Sequence, residues 1–245
     1  MAVIRTHRGD CDGYNRLLVD QQLTWTEVSD CALLARFHGL SPADNQAAVV
    51  RTFNAISDRS IPGIINLHPA FASLLVIYNP LVWTPMALVQ KLEETNRADL
   101  LNAALHEPVS IPACFVGGFA PDLRTVATRA GLNLDETVSR FITATYHVAF
   151  LGFAPGFPYL LGLPPELATP RLPRPRTHLP AGSIAIAGEQ TGIYPSETPG
   201  GWQIIGRIPV RLFDPEREPM SLLLPGDEVR FVRISEQRFE ELSQW

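Results

Sequence analysis

Residues 152–227 constrain the fold of this 245-residue chain more than any other stretch, because proline and glycine interrupt it every few residues. Fourteen of the 22 prolines fall between Pro155 and Pro225, and proline inside a helix removes a hydrogen bond and clashes with the preceding turn. Short apolar runs between such turns are typical of strands. They occur at residues 183–187, 203–205, 210–213, 221–224 and 229–234. This pattern predicts a β-barrel whose stiff loops suit ligand or partner binding.

A different pattern before this stretch predicts a smaller α/β domain. Apolar runs at 32–37, 64–67 and 74–78 indicate strands, and the pairs Ser41-Pro42 and Thr84-Pro85 start helices that run to about residues 56 and 105. The order strand, helix, strand, strand, helix favours a split βαβ sandwich, with residues 109–115 available as a sixth element. Two further helices are predicted at 121–129, capped by Asp122, and at 135–146.

We therefore predict an α+β chain of two domains. An N-terminal extension occupies residues 1–21, the α/β domain residues 22–105 and the barrel domain residues 106–245.

Charge and composition exclude several classes of function. A net charge of -5 and a pI near 5.7 argue against nucleic-acid binding and against a polybasic membrane surface, since both need clustered positive charge. No apolar run approaches the roughly 20 residues that span a bilayer, and the N-terminus lacks the apolar segment of a signal peptide. We expect a cytoplasmic protein.

The reactive residue types also narrow the chemistry. Nineteen arginines accompany a single lysine, Lys91, whose surroundings match neither a phosphate-binding loop, a Schiff-base site nor a biotin attachment site. The three cysteines are far apart and are expected to be free thiols, and no two histidines have the i, i+4 spacing of a zinc site. We predict no metal site.

The first group of candidate site residues lies in two loops. Residues 152–160 combine two glycines and two prolines with three aromatic residues, so Phe157 and Tyr159 form either a pocket wall or a turn under a hydrophobic lid. Arg171, Arg174 and Arg176 project from a proline-rich segment. They are either a solvated basic loop or guanidinium groups that bind a carboxylate or phosphate.

The second group of candidate site residues lies between Gln190 and Arg207. Gln190, Thr191 and Tyr194 place an amide, a hydroxyl and a phenol on one connection, where they bind a ligand or close the turn. Farther on, two glycines allow close approach of the backbone, an aromatic residue comes next, and a cation follows. These four residues are Gly200, Gly201, Trp202 and Arg207.

Several of these motifs together resemble one family, which contains the B subunit of 5-oxoprolinase, the sporulation-kinase inhibitor KipI and the so-called allophanate hydrolase subunit 1. The matching segments are LGFAPGFPYL, PRLPRPR, LPAGSIAIAGEQTGIYP, TPGGWQIIGRIPVRLFDP and LLPGDEVRF. With weaker matches upstream, the resemblance covers residues 25–234. Two mild departures from the family pattern are His178 with Leu179 before Pro180, and Thr198 where serine is common.

The resemblance implies a cyclophilin-like barrel behind an α/β domain and a role beside two other proteins of one complex. These partners, a homologous C subunit and the A subunit, would complete an enzyme that hydrolyses ATP and opens the lactam ring of 5-oxo-L-proline to give L-glutamate. ATP is expected to bind elsewhere in the complex, and the isolated chain is expected to be inactive. The alternatives are a KipI-like inhibitor of a sensor histidine kinase and a carboxyltransferase component that acts with a biotin-carrying partner.

On this interpretation the candidates for binding an anionic lactam are Arg176, Gln190, Tyr194 and Arg207. Nine further residues are candidates for a pocket or an interface: Phe157, Tyr159, Arg171, Arg174, His178, Thr191, Gly200, Gly201 and Trp202. The sequence assigns no general base.

Overall fold

The computed structural model describes residues 22–39, 41–99 and 107–244, and these divide into two units. The first unit lies within residues 22–99 and the second within 107–244. None of the helices in these ranges combines the length and the apolar character needed to span a bilayer. The predicted extension at residues 1–21 lies outside the described residues, so the domain boundaries proposed from the sequence stay predictions.

The first unit forms its helices where cap signals predict them. Its elements are β1 (Gln22–Ser29), β2 (Ala32–His38), α1 (Pro42–Asp58), β3 (Ile64–Pro69), β4 (Ser73–Tyr78) and α2 (Pro85–Asp99). The Ser41 hydroxyl accepts a hydrogen bond from the backbone N–H of Asp44 at 3.2 Å and so caps α1. The predicted end of the second helix, Leu105, lies outside the described residues.

The sheet of the first unit has the order β1-β2-β4-β3, and all neighbouring strands are antiparallel. Strands β2 and β3, which α1 connects, therefore run in the same direction with β4 between them. This arrangement is the predicted split βαβ topology. The helices cover one apolar face of the sheet, and the core includes Leu33, Val49, Ile56, Leu74, Val76, Tyr78, Leu88 and Leu92.

The second unit consists mainly of short strands. Its elements are β5 (Val109–Ala113), α3 (Leu123–Ala130), α4 (Leu134–Thr143), β6 (Tyr146–Leu151), β7 (Pro158–Leu161), β8 (Arg176–Leu179), β9 (Ser183–Ala187), β10 (Gln190–Ile193), β11 (Thr198–Gly200), β12 (Gln203–Arg207), β13 (Glu228–Arg233) and α5 (Glu236–Leu242). Gly131 ends α3 in the left-handed conformation, with φ of 69°. Asn133 and Glu136 form a capping box at the start of α4.

Seven of these strands form a nearly closed barrel with the order β12-β9-β10-β7-β6-β13-β5. Its two edges meet where Cys114 and Arg207 exchange backbone hydrogen bonds of 2.8 and 2.9 Å. Strands β8 and β11 pair separately as a two-stranded ribbon. These features confirm the predicted fold class, a small split βαβ unit followed by a β-barrel.

Two predicted elements lie elsewhere or end earlier. The segment proposed as a sixth element of the α/β domain is β5, which pairs in parallel with β13 inside the barrel. That prediction was wrong because a five-residue apolar strand carries no signal for its partner. The helix predicted to reach Tyr146 ends at Thr143 instead, since Tyr146 is fully buried as the first residue of β6.

The strands predicted at 210–213 and 221–224 are not formed. Leu212 and Leu223 are buried, but the two segments share only one isolated bridge and a hydrogen bond from Leu222 N–H to the Leu212 carbonyl at 2.7 Å. The guanidinium of Arg217 donates to the carbonyls of Leu212 and Met220 at 3.0 Å each. The apolar residues of segments 210–213 and 221–224 anchor a loop to the barrel, which explains why the two segments resembled strands in sequence.

Candidate functional site

A tight turn at residues 152–158 presents two phenylalanines in different ways. The backbone N–H of Ala154 donates to the Gly152 carbonyl at 2.8 Å, and that of Phe157 donates to the Ala154 carbonyl at 3.0 Å. Phe153 has φ of 67°, which is uncommon for a residue with a side chain. Phe153 is 63% exposed, whereas Phe157 is buried. The turn therefore holds one aromatic ring in the core and a second at the surface.

Aromatic rings from four loops and strands meet at this turn. The Phe157 ring lies 5.2 Å from Tyr194 and 5.7 Å from Trp202, both edge to face, and 5.0 Å from Tyr159. Phe153 stands edge to face with Tyr194 at 6.1 Å. Edge-to-face rings at these separations stabilise one another beyond their apolar burial. The rings of Phe153, Phe157, Tyr159, Tyr194 and Trp202 therefore form a fixed aromatic wall.

This wall borders a small open pocket of about 130 Å³, which we call the aromatic pocket. It is lined by Phe153, Phe157, Tyr159, Arg171, Tyr194, Pro199, Gly200, Gly201 and Trp202. The structure thus brings together seven of the residues proposed from the sequence. Pockets for drug-sized ligands have about 300–1,000 Å³, so this one fits only a small molecule or a single side chain.

Arg171 provides the positive charge of the aromatic pocket. Its guanidinium carbon lies 5.6 Å from the centre of the Trp202 ring, within the range of a cation–π contact. The segment on either side is anchored, since the Gln203 amide donates to the Pro170 carbonyl at 3.0 Å and Leu172 N–H donates to the Gly201 carbonyl at 2.7 Å. None of the ion pairs found within the described ranges involves Arg171, so its guanidinium remains available for an anion.

Tyr194 supplies a neutral hydroxyl at the same place. Burial raises the pKa of Tyr194 to about 12, an effect that the positive charge of Arg171 partly offsets. The hydroxyl is therefore protonated at neutral pH and can donate a hydrogen bond. A Cβ at Gly200 would lie 2.6 Å from this hydroxyl oxygen, so glycine is needed there for the backbone to approach it.

Arg176 is not part of the lining of the aromatic pocket. Its Nη1 and Nη2 donate to the two carboxylate oxygens of Asp122 at 2.9 and 2.6 Å. The sequence interpretation of Asp122 as a helix cap was wrong in one respect. Asp122 occupies the cap position of α3, but its side chain makes no capping hydrogen bond and instead accepts from Arg176 and from Ile204 N–H at 2.7 Å.

The other two proposed lactam-binding residues also lie outside the pocket lining. Gln190 is half-buried on β10. The Arg207 Nε donates to the Ala181 carbonyl at 2.7 Å, its guanidinium lies 5.6 Å from the Phe239 ring, and burial lowers its pKa. Neither side chain therefore joins Tyr194 in the pocket lining.

The remaining candidates have surface or packing positions. Thr191 is buried, and its hydroxyl donates to the Ala185 carbonyl at 3.2 Å. His178 is exposed and pairs with Glu197 at 2.9 Å, and Arg174 is exposed. Among the described residues no three metal-ligating side chains gather in one place, and the expectation of no metal stays a prediction.

Sequence reasoning missed three residues of this site. Phe153 and Pro199 line the pocket, and their signal was present in the motifs that supplied Phe157 and Gly200. Asp122 gave no such signal, because its ion-pair partner is 54 residues away in the sequence.

A second, larger depression of about 450 Å³ lies in the same unit, between the start of α3, the start of α4 and the end of β13. Its lining is mostly apolar and includes Phe115, Leu123 and Val138, with the Arg233–Asp135 ion pair at its edge. None of the residues proposed from the sequence lies there.

Comparisons with known proteins agree with this architecture. The sequence model of the carboxyltransferase domain, subdomain C and D, matches residues 23–223. The chain is 39% identical over 225 residues to the B subunit of 5-oxoprolinase from Bacillus subtilis, covering 87% of this chain and 93% of that protein. It is 52% identical over 124 residues to the B subunit of 5-oxoprolinase from Escherichia coli O157:H7, covering 51% of this chain and 57% of the relative.

A solved structure also resembles this chain. The crystal structure of TTHA0988 matches with a TM-score of 0.73 at 34% identity, covering 84% of this chain. The chain spans only 40% of the length of that solved protein. Because the family match extends over well more than half of the sequence, the chain belongs to the family of the carboxyltransferase domain, subdomain C and D.

Proposed function

We propose that this chain is the B subunit of an ATP-dependent 5-oxoprolinase, which converts 5-oxo-L-proline to L-glutamate together with a homologous C subunit and the A subunit. Two relatives that are named as B subunits of 5-oxoprolinase support this assignment. The observation that carries it is the aromatic pocket with the Arg171 guanidinium over the Trp202 ring.

The size and chemistry of the aromatic pocket suit a small anionic lactam. A volume of about 130 Å³ limits the ligand to roughly one small ring. The apolar edge of such a ring packs against the Phe157 and Trp202 faces. Its carboxylate pairs with Arg171, whose planar donors match carboxylate geometry, and its lactam carbonyl oxygen accepts from the protonated Tyr194 hydroxyl.

The reaction also requires groups that this chain does not supply. A lactam is an amide and a poor electrophile, and transfer of phosphate from ATP to its oxygen would activate the carbonyl carbon for attack by water. The sequence contains no phosphate-binding loop, so we assign ATP binding to one of the partner proteins and expect the isolated chain to be inactive. In this proposal the chain orients the substrate and stabilises its negative charge.

Reconstitution tests the proposal. The purified chain is mixed with the A and C subunits, ATP and 5-oxo-L-proline, and glutamate is measured. We expect glutamate only when all three proteins are present. Arg171→Met should raise KM by roughly tenfold, because the ligand carboxylate loses its partner. Arg140→Met, which removes an exposed arginine paired with Glu166 at 3.5 Å, is the matched control and should leave KM unchanged. Equal glutamate production without this chain would refute the proposal.

The family description favours a carboxyltransferase component as a second candidate. The same three proteins are then supplied with a biotin-carrying protein whose biotin is already carboxylated, and with a small amide as acceptor, in place of ATP and 5-oxoproline. Transfer of the carboxyl group from biotin to the amide, without glutamate formation, would favour this second function.

A further inference from the structure

The carboxylate of Asp122 joins three separate parts of the second unit. It accepts two hydrogen bonds from Arg176 on β8, at 2.6 and 2.9 Å, and one from Ile204 N–H on β12, at 2.7 Å. Asp122 itself occupies the cap position directly before α3. Its side chain is 8% exposed and that of Arg176 is 32% exposed. Bidentate, charge-assisted hydrogen bonds in such partly dry surroundings are among the stronger polar contacts in proteins.

The backbone that Arg176 holds lies outside the main sheet of the barrel. Strands β8 and β11 form a ribbon outside the seven-stranded sheet, and Arg176 pairs directly with Gly200 in that ribbon. A two-stranded ribbon on its own is at most marginally stable in water. Its position on the barrel therefore depends on tethers, of which the Asp122–Arg176 pair is one.

The same ribbon forms one side of the aromatic pocket. Pro199 and Gly200 belong to β11 and Gly201 follows directly, and all three line the pocket. Pro175, the neighbour of Arg176, lies against Gly201, with its Cγ 3.6 Å from the position of a Cβ at that glycine. Movement of Arg176 would therefore shift the glycine side of the pocket against the fixed aromatic wall.

We propose that Arg176 is a positioning residue: through its pair with Asp122 it fixes residues 199–201 at the distance from Phe157 and Tyr194 that the ligand requires. The role assigned to the ligand rests on the proposed function, whereas the effect of the pair on the ribbon does not. The guanidinium acts on Asp122 and on the ribbon backbone and makes no contact with the substrate.

Asp122→Asn distinguishes positioning from direct binding. The asparagine oxygen can still accept from Ile204 N–H, but the amide group cannot receive the bidentate guanidinium. If Arg176 positions the ribbon, Asp122→Asn and Arg176→Met raise KM alike, by roughly tenfold or more, since small misplacements of binding groups have large effects on rate. If Arg176 binds the substrate directly, Asp122→Asn releases its guanidinium and KM is unchanged or lower.

The double variant separates positioning from loss of stability. Arg176→Met leaves a buried carboxylate without a counter-charge, which is strongly destabilising. Asp122→Asn in the same chain removes that charge, so Arg176→Met/Asp122→Asn should regain much of the Tm while KM stays raised. It also provides a folded sample if Arg176→Met alone does not fold. A KM that returns to normal together with the Tm would overturn the positioning role.

Hydrogen–deuterium exchange on the free chain tests the ribbon without any assay of turnover. We expect amides in residues 198–203 to exchange roughly tenfold faster in the Asp122→Asn and double variants, with residues 183–187 of β9 unchanged. The exposed pair Arg140–Glu166 provides the control, since Arg140→Met/Glu166→Gln should leave both segments at the wild-type rate. Unchanged exchange at 198–203 would refute the proposal. Faster exchange in preparations that form no glutamate would refute the proposed function alone.

Discussion

Among single residues, Tyr194 has a buried hydroxyl whose titration affects stability. Burial raises its pKa to about 12 in the folded protein, whereas an unfolded tyrosine has a pKa near 10. Between these values the unfolded chain loses the proton and the folded chain keeps it. The unfolded state then binds fewer protons, so the free energy of unfolding falls as the pH rises through this window.

Tyr194→Phe removes this contribution, because phenylalanine does not titrate. We expect the free energy of unfolding of the wild type to fall more steeply than that of the variant above pH 10, by roughly 1 kcal/mol at pH 11. Urea unfolding at pH 8, 9, 10 and 11 measures the difference. The two curves should run parallel up to pH 9, and curves that remain parallel to pH 11 would show that Tyr194 ionises normally in the folded state.

Local motifs were a good guide to which residues meet at the pocket, but a poor guide to charge pairing. Tyr194, Trp202 and Gly200 could be proposed because loop glycines and aromatic residues stand close together in the sequence. The partner of Arg176 could not be, because Asp122 is brought to it only by the closure of the barrel. A cation in a proline-rich loop has the same sequence signature whether it faces a ligand or a buried carboxylate.

At the scale of elements, β10 is fitted to the aromatic wall through a glycine. A Cβ at Gly192 would lie 2.7 and 2.8 Å from two carbons of the Phe157 ring and 3.0 Å from the Pro158 carbonyl oxygen. The Phe157 ring is buried and is held by its contacts with Tyr159, Tyr194 and Trp202. The strand and the wall are therefore coupled sterically.

Gly192→Ala should consequently lower the free energy of unfolding by about 1–3 kcal/mol, the usual range for overpacking a core. Gly118→Ala is the matched control, since a Cβ there would meet nothing within 4 Å, and a change below about 0.5 kcal/mol is expected. Chemical denaturation of both variants provides the measurement. Equal stability of the two would mean that the wall rearranges freely.

The elements that could be predicted from sequence are those with a strong local signal. Strands β2, β4 and β9 are largely apolar runs, and α1 starts at a serine cap before proline. Strand β1 was not predicted, because it is a largely exposed edge strand with the mixed sequence QLTWTEVS. Strands of three or four residues, such as β8 and β11, owe their form to pairing with each other, which a local sequence pattern does not signal.

In the whole molecule, each of the two units has its own apolar core. The core of the first unit is built from residues between Leu33 and Leu92, and the barrel encloses a larger core between Val109 and Phe231. The cluster around the aromatic pocket also belongs to the second unit, between Phe157 and Ile204. A unit with a complete core of this kind can fold by itself.

We therefore expect a fragment of residues 106–245 to fold without the first unit. Its barrel needs no strand from residues 22–99, because the seven strands and the bridge that closes them all lie within 107–244. The fragment should unfold cooperatively in urea and keep the near-ultraviolet circular dichroism of the Phe157, Tyr194 and Trp202 cluster, which depends on fixed side-chain packing. Gly192→Ala should destabilise the fragment as it destabilises the full chain, since the affected contacts lie inside the second unit. A fragment without a cooperative transition would place part of the folding information for the barrel in the first 105 residues and would move the predicted domain boundary.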